Sequence, residues 1–235
     1  MLDCHAIPEV RMPPSAFSAL LFDMDGLMID TESLSARAWQ RAAEALAIPL
    51  QDQHLRAMVG LSTEYCLDYL QQALPAADIA QLGVTARALY HRTLREDSIP
   101  LKPGIIELLQ WCEQQAIPRA VATATQRALA DIKLARSQLA PFFRHSVCGD
   151  EVARSKPAPD VYLKAAALLG MAAADCIVLE DSPHGARAAL AAGMRVIVVP
   201  DLVAADADIA KQALAVCQDL FEARSLLAAL LSHPH

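Results

Sequence analysis

Two aspartates separated by one residue follow a short apolar run near the start of the chain. Asp23 and Asp25 come directly after Ala19–Phe22, a run typical of a buried strand. Neighbouring carboxylates raise each other's pKa unless a cation lies between them. A strand that ends on such a pair indicates a site in which one acid attacks a substrate while the other manages protons.

Other residues suited to the same chemistry follow later apolar runs. Thr123 and Thr125 end the run "RAVATAT", Glu180 and Asp181 end "CIVLED", and Lys156 lies in a loop before a predicted helix. Ligands bind at the carboxyl ends of the strands in an open parallel sheet, so we expect these side chains to converge. Clustered carboxylate oxygens suit Mg²⁺, which also takes substrate phosphate oxygens. Lysine and threonine would hold phosphoryl oxygens.

Each of these signals also has an ordinary structural interpretation. Thr123 alone is typical of a helix cap, and Lys156 alone of a solvated loop. Glu180 and Asp181 alone would suit the N-terminus of the next helix. The complete set, with each member after an apolar run, favours a shared site.

Composition limits the class of protein. The chain has 235 residues, 54% of them hydrophobic, with a net charge of −7 and a pI of about 5.4. This favours a folded protein and argues against a nucleic-acid polymer as partner, which would need a basic surface. No apolar run is long enough for a membrane span, and the six cysteines form no C-x-x-C pair. We expect a cytoplasmic protein with reduced thiols and no membrane partner.

The order of the predicted elements indicates an α/β fold. After residue 100, short apolar runs alternate with amphipathic helices, which is typical of a parallel sheet. The preceding segment reads as helical throughout, starting from Thr31 as a plausible N-cap. We predict that residues 1–17 form a loose leader that is not a signal peptide. Residues 18–30 and 99–235 should together form the core, and residues 31–98 an all-helical insert.

Four motifs resemble those of the haloacid dehalogenase superfamily of phosphotransferases. They are "DMDG" at Asp23, "VATAT" around Thr123, "SKPAPD" at Lys156 and "LEDSPHG" at Glu180 and Asp181. Within that superfamily the chain resembles the β-phosphoglucomutases and small phosphosugar phosphatases. The resemblance extends from residue 20 to about residue 200, and it implies a Rossmann-like core with a helical cap inserted after the first strand.

The resemblance also implies separate roles for the two aspartates. Asp23 would be the nucleophile that forms an aspartyl-phosphate, and Asp25 the acid that protonates the leaving oxygen and then the base that activates water. Asp25 would be less neutralised than Asp23. True dehalogenases lack this second aspartate, because halide leaves without a proton, so Asp25 favours phosphoryl transfer.

The remaining motif residues would hold the metal and the phosphoryl group. Mg²⁺ would be bound by Asp23, the backbone carbonyl of Asp25, and Asp181. Glu180 would either bind the metal directly or contact one of its ligands. The phosphoryl oxygens would be bound by Thr123 and by backbone N–H groups near Ala124 and Thr125. Lys156 would offset negative charge.

Two departures from the mutases favour hydrolysis. Ser35 and Thr63 stand where those mutases carry a histidine and an arginine. We therefore expect a phosphatase for a small phosphorylated metabolite, either a sugar phosphate or a nucleotide or nucleoside monophosphate. The alternatives are a phosphosugar mutase and, less favoured because no catalytic position is eroded, a non-catalytic binding module. We expect a monomer or weak homodimer.

The helical insert should select the substrate. Residues expected to face the leaving group are Thr31, Gly60, Ser62 and Thr63. A second anionic group would find its partners among the arginines of the insert, for which Arg37, Arg92 and Arg95 are the candidates.

Overall fold

The core is a six-stranded parallel sheet. The computed structural model describes residues 17–58, 63–201 and 206–232. The sheet has the order β3-β2-β1-β4-β5-β6, and its pairs are all parallel. The strands are β1 Ala19–Phe22, β2 Arg119–Ala122, β3 His145–Val147, β4 Cys176–Glu180, β5 Arg195–Val198 and β6 Ala215–Val216. The predicted α/β class is confirmed.

Ten α-helices are found in the described residues. The first five lie between β1 and β2, and the first four of these fall within residues 31–98. Those four are α1 Thr31–Ala45, α2 Asp52–Met58, α3 Thr63–Ala73 and α4 Ile79–Glu96. The other six are α5 Ile105–Gln114, α6 Arg127–Arg136, α7 Asp160–Leu169, α8 Pro183–Ala191, α9 Ala207–Gln212 and α10 Leu220–Ser232. None of the described helices is both long and apolar enough to cross a membrane.

The central strand is apolar at every position because helices cover both faces of the sheet. Successive side chains of a strand point to opposite faces. Leu20 and Phe22 accordingly join one buried cluster, which includes Leu108 of α5 and Leu227 of α10. Leu21 joins the cluster on the other face, against α7 and α8. From β1 the chain adds β2 and β3 on one side of the sheet and then β4, β5 and β6 on the other. The carboxyl end of β1 is therefore the topological switch point, at which such sheets bind ligands.

The helical insert has an apolar cluster of its own. Trp39 of α1, Leu70 of α3 and Leu82 of α4 are buried together. Leu34 and Leu94, near the two ends of the insert, belong instead to the cluster under the sheet. This supports the proposal that residues 31–98 form a separate cap anchored to the core at its connections.

Two local predictions are corrected. Asp30, not Thr31, caps α1, because the Asp30 carboxylate accepts a hydrogen bond from Ser33 N at 3.1 Å. Phe17, assigned to the leader, is buried against the core; the rest of the leader lies outside the described residues. The edge strand β6 lies between the last two helices, α9 and α10. Helix α2 falls in the segment predicted to be helical, although only His54 and Met58 of its seven residues are buried.

The described cysteines lie in the interior. Cys66, Cys112, Cys148, Cys176 and Cys217 are all buried, and Cys112, Cys148, Cys176 and Cys217 are free thiols. Cys4 lies outside the described residues.

Candidate active site

A tight turn after β1 lets the carboxylate of Asp181 lie close to the residues that follow the strand. Asp23 extends the strand pairing, with its N–H donating to Leu179 O at 3.0 Å. The chain then turns at Gly26, whose φ of +87° favours glycine. A Cβ at Gly26 would overlap the carboxylate of Asp181. Glycine at this position therefore allows both the turn and the close approach of Asp181.

Lys156 is a buried partner of the first aspartate rather than a solvated loop residue. Its Nζ donates to Asp23 Oδ1 at 2.5 Å and to Glu180 Oε1 at 2.8 Å, and its side chain is 6% exposed. The same Nζ lies 4.7 Å from the centre of the Tyr162 ring. One ammonium thus bridges two carboxylates in a site shielded from water.

Glu180 is saturated by protein donors. Besides Lys156, its Oε1 accepts from Tyr162 Oη at 3.0 Å, and its Oε2 accepts from Ser182 N and Ser182 Oγ at 2.8 and 3.0 Å. A Cβ at Gly185 would overlap Oε1. These bonds lower the pKa of Glu180 although burial opposes ionisation. They support the interpretation that Glu180 orients Lys156 and does not bind a metal directly.

The donor set suits a divalent cation. One carboxylate oxygen from each of Asp23, Glu180 and Asp181 lies within 4.8 Å of the others. Burial, followed by the charges of Glu180 and Asp23, raises the pKa of Asp181 to about 10. Burial also raises the pKa of Asp23 to about 7, against the opposing effect of Lys156. A hard cation with oxygen ligands, such as Mg²⁺, would relieve this crowding of negative charge.

The carboxylate of Asp25 accepts hydrogen bonds from three side chains. Its Oδ1 accepts from Lys133 Nζ at 2.6 Å and from Thr31 Oγ1 at 3.0 Å, and its Oδ2 accepts from Thr125 Oγ1 at 2.7 Å. Burial raises the pKa of Asp25, but these donors, Lys133 first among them, outweigh it and the pKa falls. The expectation that Asp25 is the less neutralised acid applies to a site with Mg²⁺ on Asp23, and it stays a prediction.

Lys133 was missed by the sequence analysis. It lies in α6 with Ala130 and Leu134 on the buried face of the helix. Its Nζ lies 5.9 Å from the centre of the Tyr90 ring of α4, so it links the core to the insert. A lysine at a buried helical position is the signal that could have identified it, because lysines are almost never buried without a partner.

The two threonines after β2 have different contacts. Thr123 is buried, and its Oγ1 accepts from Thr125 N at 3.1 Å, which leaves the Thr123 O–H free to donate elsewhere. The backbone N–H of Thr125 is thereby engaged, and its hydroxyl holds Asp25. The expectation that backbone N–H groups near Ala124 and Thr125 bind phosphoryl oxygens stays a prediction, and the Thr125 hydroxyl in addition holds the carboxylate of Asp25.

A cavity of about 700 Å³ lies between the core and the insert. On the core side it is lined by Asp25, Ala124, Thr125, Leu129 and Lys133, and on the insert side by Thr31, Glu32, Ser35, Ala38, Trp39, Gly83, Ala86, Arg87, Tyr90 and His91. Thr31 lines the cavity, and its expected contact with the leaving group stays a prediction. Gly60 and Ser62 lie outside the described residues, and of Thr63 the structure describes only its place at the start of α3.

The predicted arginines do not line this cavity. Arg37 lines a separate cavity of about 300 Å³. Arg92 forms an exposed pair with Glu96 at 4.0 Å. The insert contributes Arg87 and His91 instead, and helical periodicity alone did not distinguish them from the solvated residues of α4.

The fold and the site together define a class of α/β proteins in which carboxylates follow the central parallel strand and helices are inserted between that strand and the next one along the chain. The chain belongs to the haloacid dehalogenase-like hydrolase family, whose profile matches residues 20–199. The resemblance inferred from the four motifs is confirmed.

Named relatives cover most of the chain. It is 34% identical over 192 residues to hexitol phosphatase B of Escherichia coli strain K12, covering 80% of this chain and 85% of the relative. It is 32% identical over 191 residues to a Drosophila melanogaster protein named "Probable pseudouridine-5'-phosphatase", covering 77% and 80%. A family hydrolase from Deinococcus radiodurans R1, solved with bound phosphate and sodium, has a TM-score of 0.81 and 26% identity, covering 92% of this chain and 97% of that one.

Proposed function

We propose that the protein is a Mg²⁺-dependent phosphatase that hydrolyses a small phosphorylated metabolite through an aspartyl-phosphate on Asp23. The single observation that carries the proposal is the contact of Lys156 with Asp23 at 2.5 Å, inside a cluster of buried carboxylates at the end of the central strand. A buried lysine at this position stabilises the ionised nucleophile and can interact with an incoming phosphate. The named relatives support the class of reaction.

In the first step, an oxygen of Asp23 attacks phosphorus and the P–O bond to the leaving group breaks. Lys156 and the hydroxyl of Thr123 bind the phosphoryl oxygens while negative charge redistributes over them. Mg²⁺, held by Asp23, Asp181 and the backbone carbonyl of Asp25, would neutralise part of that charge. The proton required by the leaving oxygen comes from Asp25, which lines the cavity where the leaving group must lie. The negative charge of the bound phosphate raises the pKa of Asp25 and so offsets the effect of Lys133 in this step.

In the second step, water attacks the phosphoryl group on Asp23 and gives a proton to Asp25, so that inorganic phosphate leaves and both acids return to their starting states. The contacts of Asp25 with Lys133, Thr31 and Thr125 fix its carboxylate at the cavity wall. By favouring the ionised form they make Asp25 a base aimed at the attacking water.

The cavity supports a small substrate. Its volume of about 700 Å³ falls within the range of small-molecule sites. The net charge of −7 argues against a nucleic-acid polymer as substrate. The cytoplasmic location and the monomeric or weakly dimeric state stay predictions.

Phosphate release with Mg²⁺ and with excess chelator tests the proposal. The panel should include hexitol phosphates, hexose phosphates and nucleoside monophosphates, with Asp23→Asn as the inactive variant and the exposed Asp52→Asn as its control. We expect chelator-sensitive release that Asp23→Asn abolishes and Asp52→Asn retains. Release that survives in Asp23→Asn would refute the covalent route.

A second assay separates hydrolysis from mutase chemistry. Conversion of β-glucose 1-phosphate to the 6-phosphate, in the presence of the hexose bisphosphate and without phosphate release, would support the mutase instead. No reaction in either assay would favour the non-catalytic binding module.

A further inference from the structure

One face of α4 lines the cavity on the side of the insert. Arg87, Tyr90 and His91 all line the cavity, and their spacing of three and four residues places them side by side on that face. The facing wall carries Asp25, Ala124 and Thr125 of the core. A substrate whose phosphate lies at the core would therefore extend its other end toward α4.

The cavity is lined by charges of both signs, with Asp25 and Glu32 beside Arg87 and Lys133. Arg87 is exposed and, within the described residues, pairs with no carboxylate at salt-bridge distance. Arg92 and Arg127, by contrast, pair with Glu96 and Glu151. Because Arg87 lines the cavity and is not held there by a carboxylate of the described residues, its guanidinium can bind an anionic group of a ligand.

His91 lies in the same positive surroundings. Burial, and then the charges of Arg95, Arg87 and Lys133, lowers its pKa. A neutral imidazole can still donate one hydrogen bond, so His91 can complement the guanidinium of Arg87 without adding a charge. The pair forms a donor surface suited to an anion, because arginine offers planar, paired N–H groups that match carboxylate and phosphate oxygens.

We propose that the substrate carries a second anionic group, a carboxylate or a second phosphate, which Arg87 and His91 bind at the end remote from the phosphate that is removed. The proposal rests on the proposed function for the location of that phosphate. It excludes simple hexitol monophosphates as the best substrates, and it distinguishes this chain from a phosphatase selective for neutral polyol phosphates.

Three compounds with the same six-carbon chain test the proposal. Glucitol 6-phosphate has a neutral end, gluconate 6-phosphate a carboxylate, and glucitol 1,6-bisphosphate a second phosphate. The enzymes compared are the unmodified protein, Arg87→Gln, and Arg92→Gln as a control on the same helix outside the cavity lining. The readout is the ratio of kcat/KM for each anionic compound to that for glucitol 6-phosphate.

We expect a ratio of about 10 or more in the unmodified protein, from the strength of charge-assisted hydrogen bonds. Arg87→Gln should reduce it about tenfold, mainly through KM, while Arg92→Gln retains it. The compound with the higher ratio identifies the group as carboxylate or phosphate. A ratio near one in the unmodified protein, or equal losses in both variants, would overturn the proposal.

Binding separates this proposal from the proposed function. In an Asp23→Asn background, calorimetric Kd values for the same compounds should show the same preference and the same loss on adding Arg87→Gln. If p-nitrophenyl phosphate and all three compounds are not hydrolysed but the preference in Kd persists, the proposed function fails and the anion site stands. If the compounds are hydrolysed and neither ratio depends on Arg87, the anion site alone fails.

Discussion

The ammonium of Lys133 donates to Asp25 Oδ1 at 2.6 Å, although 108 residues separate the two in the chain. Lys133 lies in a core helix and Asp25 follows the central strand, while Tyr90 of the insert packs beside the lysine. The contact connects the acid–base residue to the boundary between core and insert. It suggests that the position of the insert and the state of Asp25 are coupled.

Replacing Lys133 by methionine should therefore impair catalysis more than it disturbs the fold. Removing the ammonium raises the pKa of Asp25, so the acidic limb of the kcat profile should move to higher pH. We expect kcat at neutral pH to fall by about 10- to 100-fold, at the lower end of what acid–base groups contribute. A pH–rate profile measures this, with the exposed Lys211→Met as control. An unshifted acidic limb would show that Lys133 does not set the protonation of Asp25.

Neutralising either aspartate should remove turnover without unfolding the protein. Asp23→Asn loses the nucleophile, and Asp25→Asn loses the proton carrier while retaining the size of the side chain. We expect kcat to fall by at least about 100-fold in each variant, with an unchanged circular dichroism spectrum. Full Mg²⁺-dependent activity in either variant would mean that its role is misassigned.

Substituting Gly185 should be destabilising, against the general preference of helices for alanine. In an exposed helix interior glycine to alanine gains about 1 kcal/mol. At Gly185 the added Cβ would overlap Glu180 Oε1 and displace the buried carboxylate from Lys156 and Tyr162. We expect Gly185→Ala to lower the free energy of unfolding by about 2 to 4 kcal/mol.

Urea denaturation provides that measurement, and Gly170→Ala provides the control. A Cβ at Gly170 meets nothing within 4 Å, and its φ of +69° makes the cost purely conformational, about 1 kcal/mol. A smaller loss at Gly185 than at Gly170 would contradict the packing argument.

The metal-free protein should lose stability as pH rises. The pKa of Asp181 is raised from 3.8 to about 10 in the folded state, so the folded protein retains a proton that the unfolded chain releases. The resulting stabilisation is complete below the unfolded pKa near 4 and is lost as pH rises toward about 10. Asp23, with its pKa raised to about 7, adds to the same slope in the lower part of this range.

Thermal unfolding in chelator across that pH range measures the slope. Asp181→Asn should flatten it, because the amide has no proton to lose. Mg²⁺ should raise the Tm most at high pH, where the carboxylates are ionised and bind the cation best. A slope that Asp181→Asn leaves unchanged would place the titration elsewhere, and the exposed Asp52→Asn should not alter it.

The arrangement of strands and of the residues that follow them could be predicted from the sequence. Apolar runs that end on Asp23, Thr123 and Glu180 indicate buried parallel strands, because such strands are covered on both faces. The carboxyl ends of parallel strands share one edge, so the meeting of these residues followed from the pattern alone. Lys156 was placed near them by its motif, and its burial between two carboxylates was not visible in the sequence.

The packing of the insert on the core determined which further residues surround Asp25 and line the cavity. Arg87, His91 and Lys133 lie on amphipathic helices, and local periodicity does not show which other element covers a given face. Tertiary contacts place Lys133 against Asp25 and turn the face of Arg87 toward the cavity. The sequence by itself determined which chemical groups gather at the end of β1, since the alternation of apolar runs and helices predicts parallel strands whose carboxyl ends share one edge. Only the tertiary structure decided which charges surround Asp25 and which side chains meet the substrate, because those depend on contacts between residues far apart in the chain.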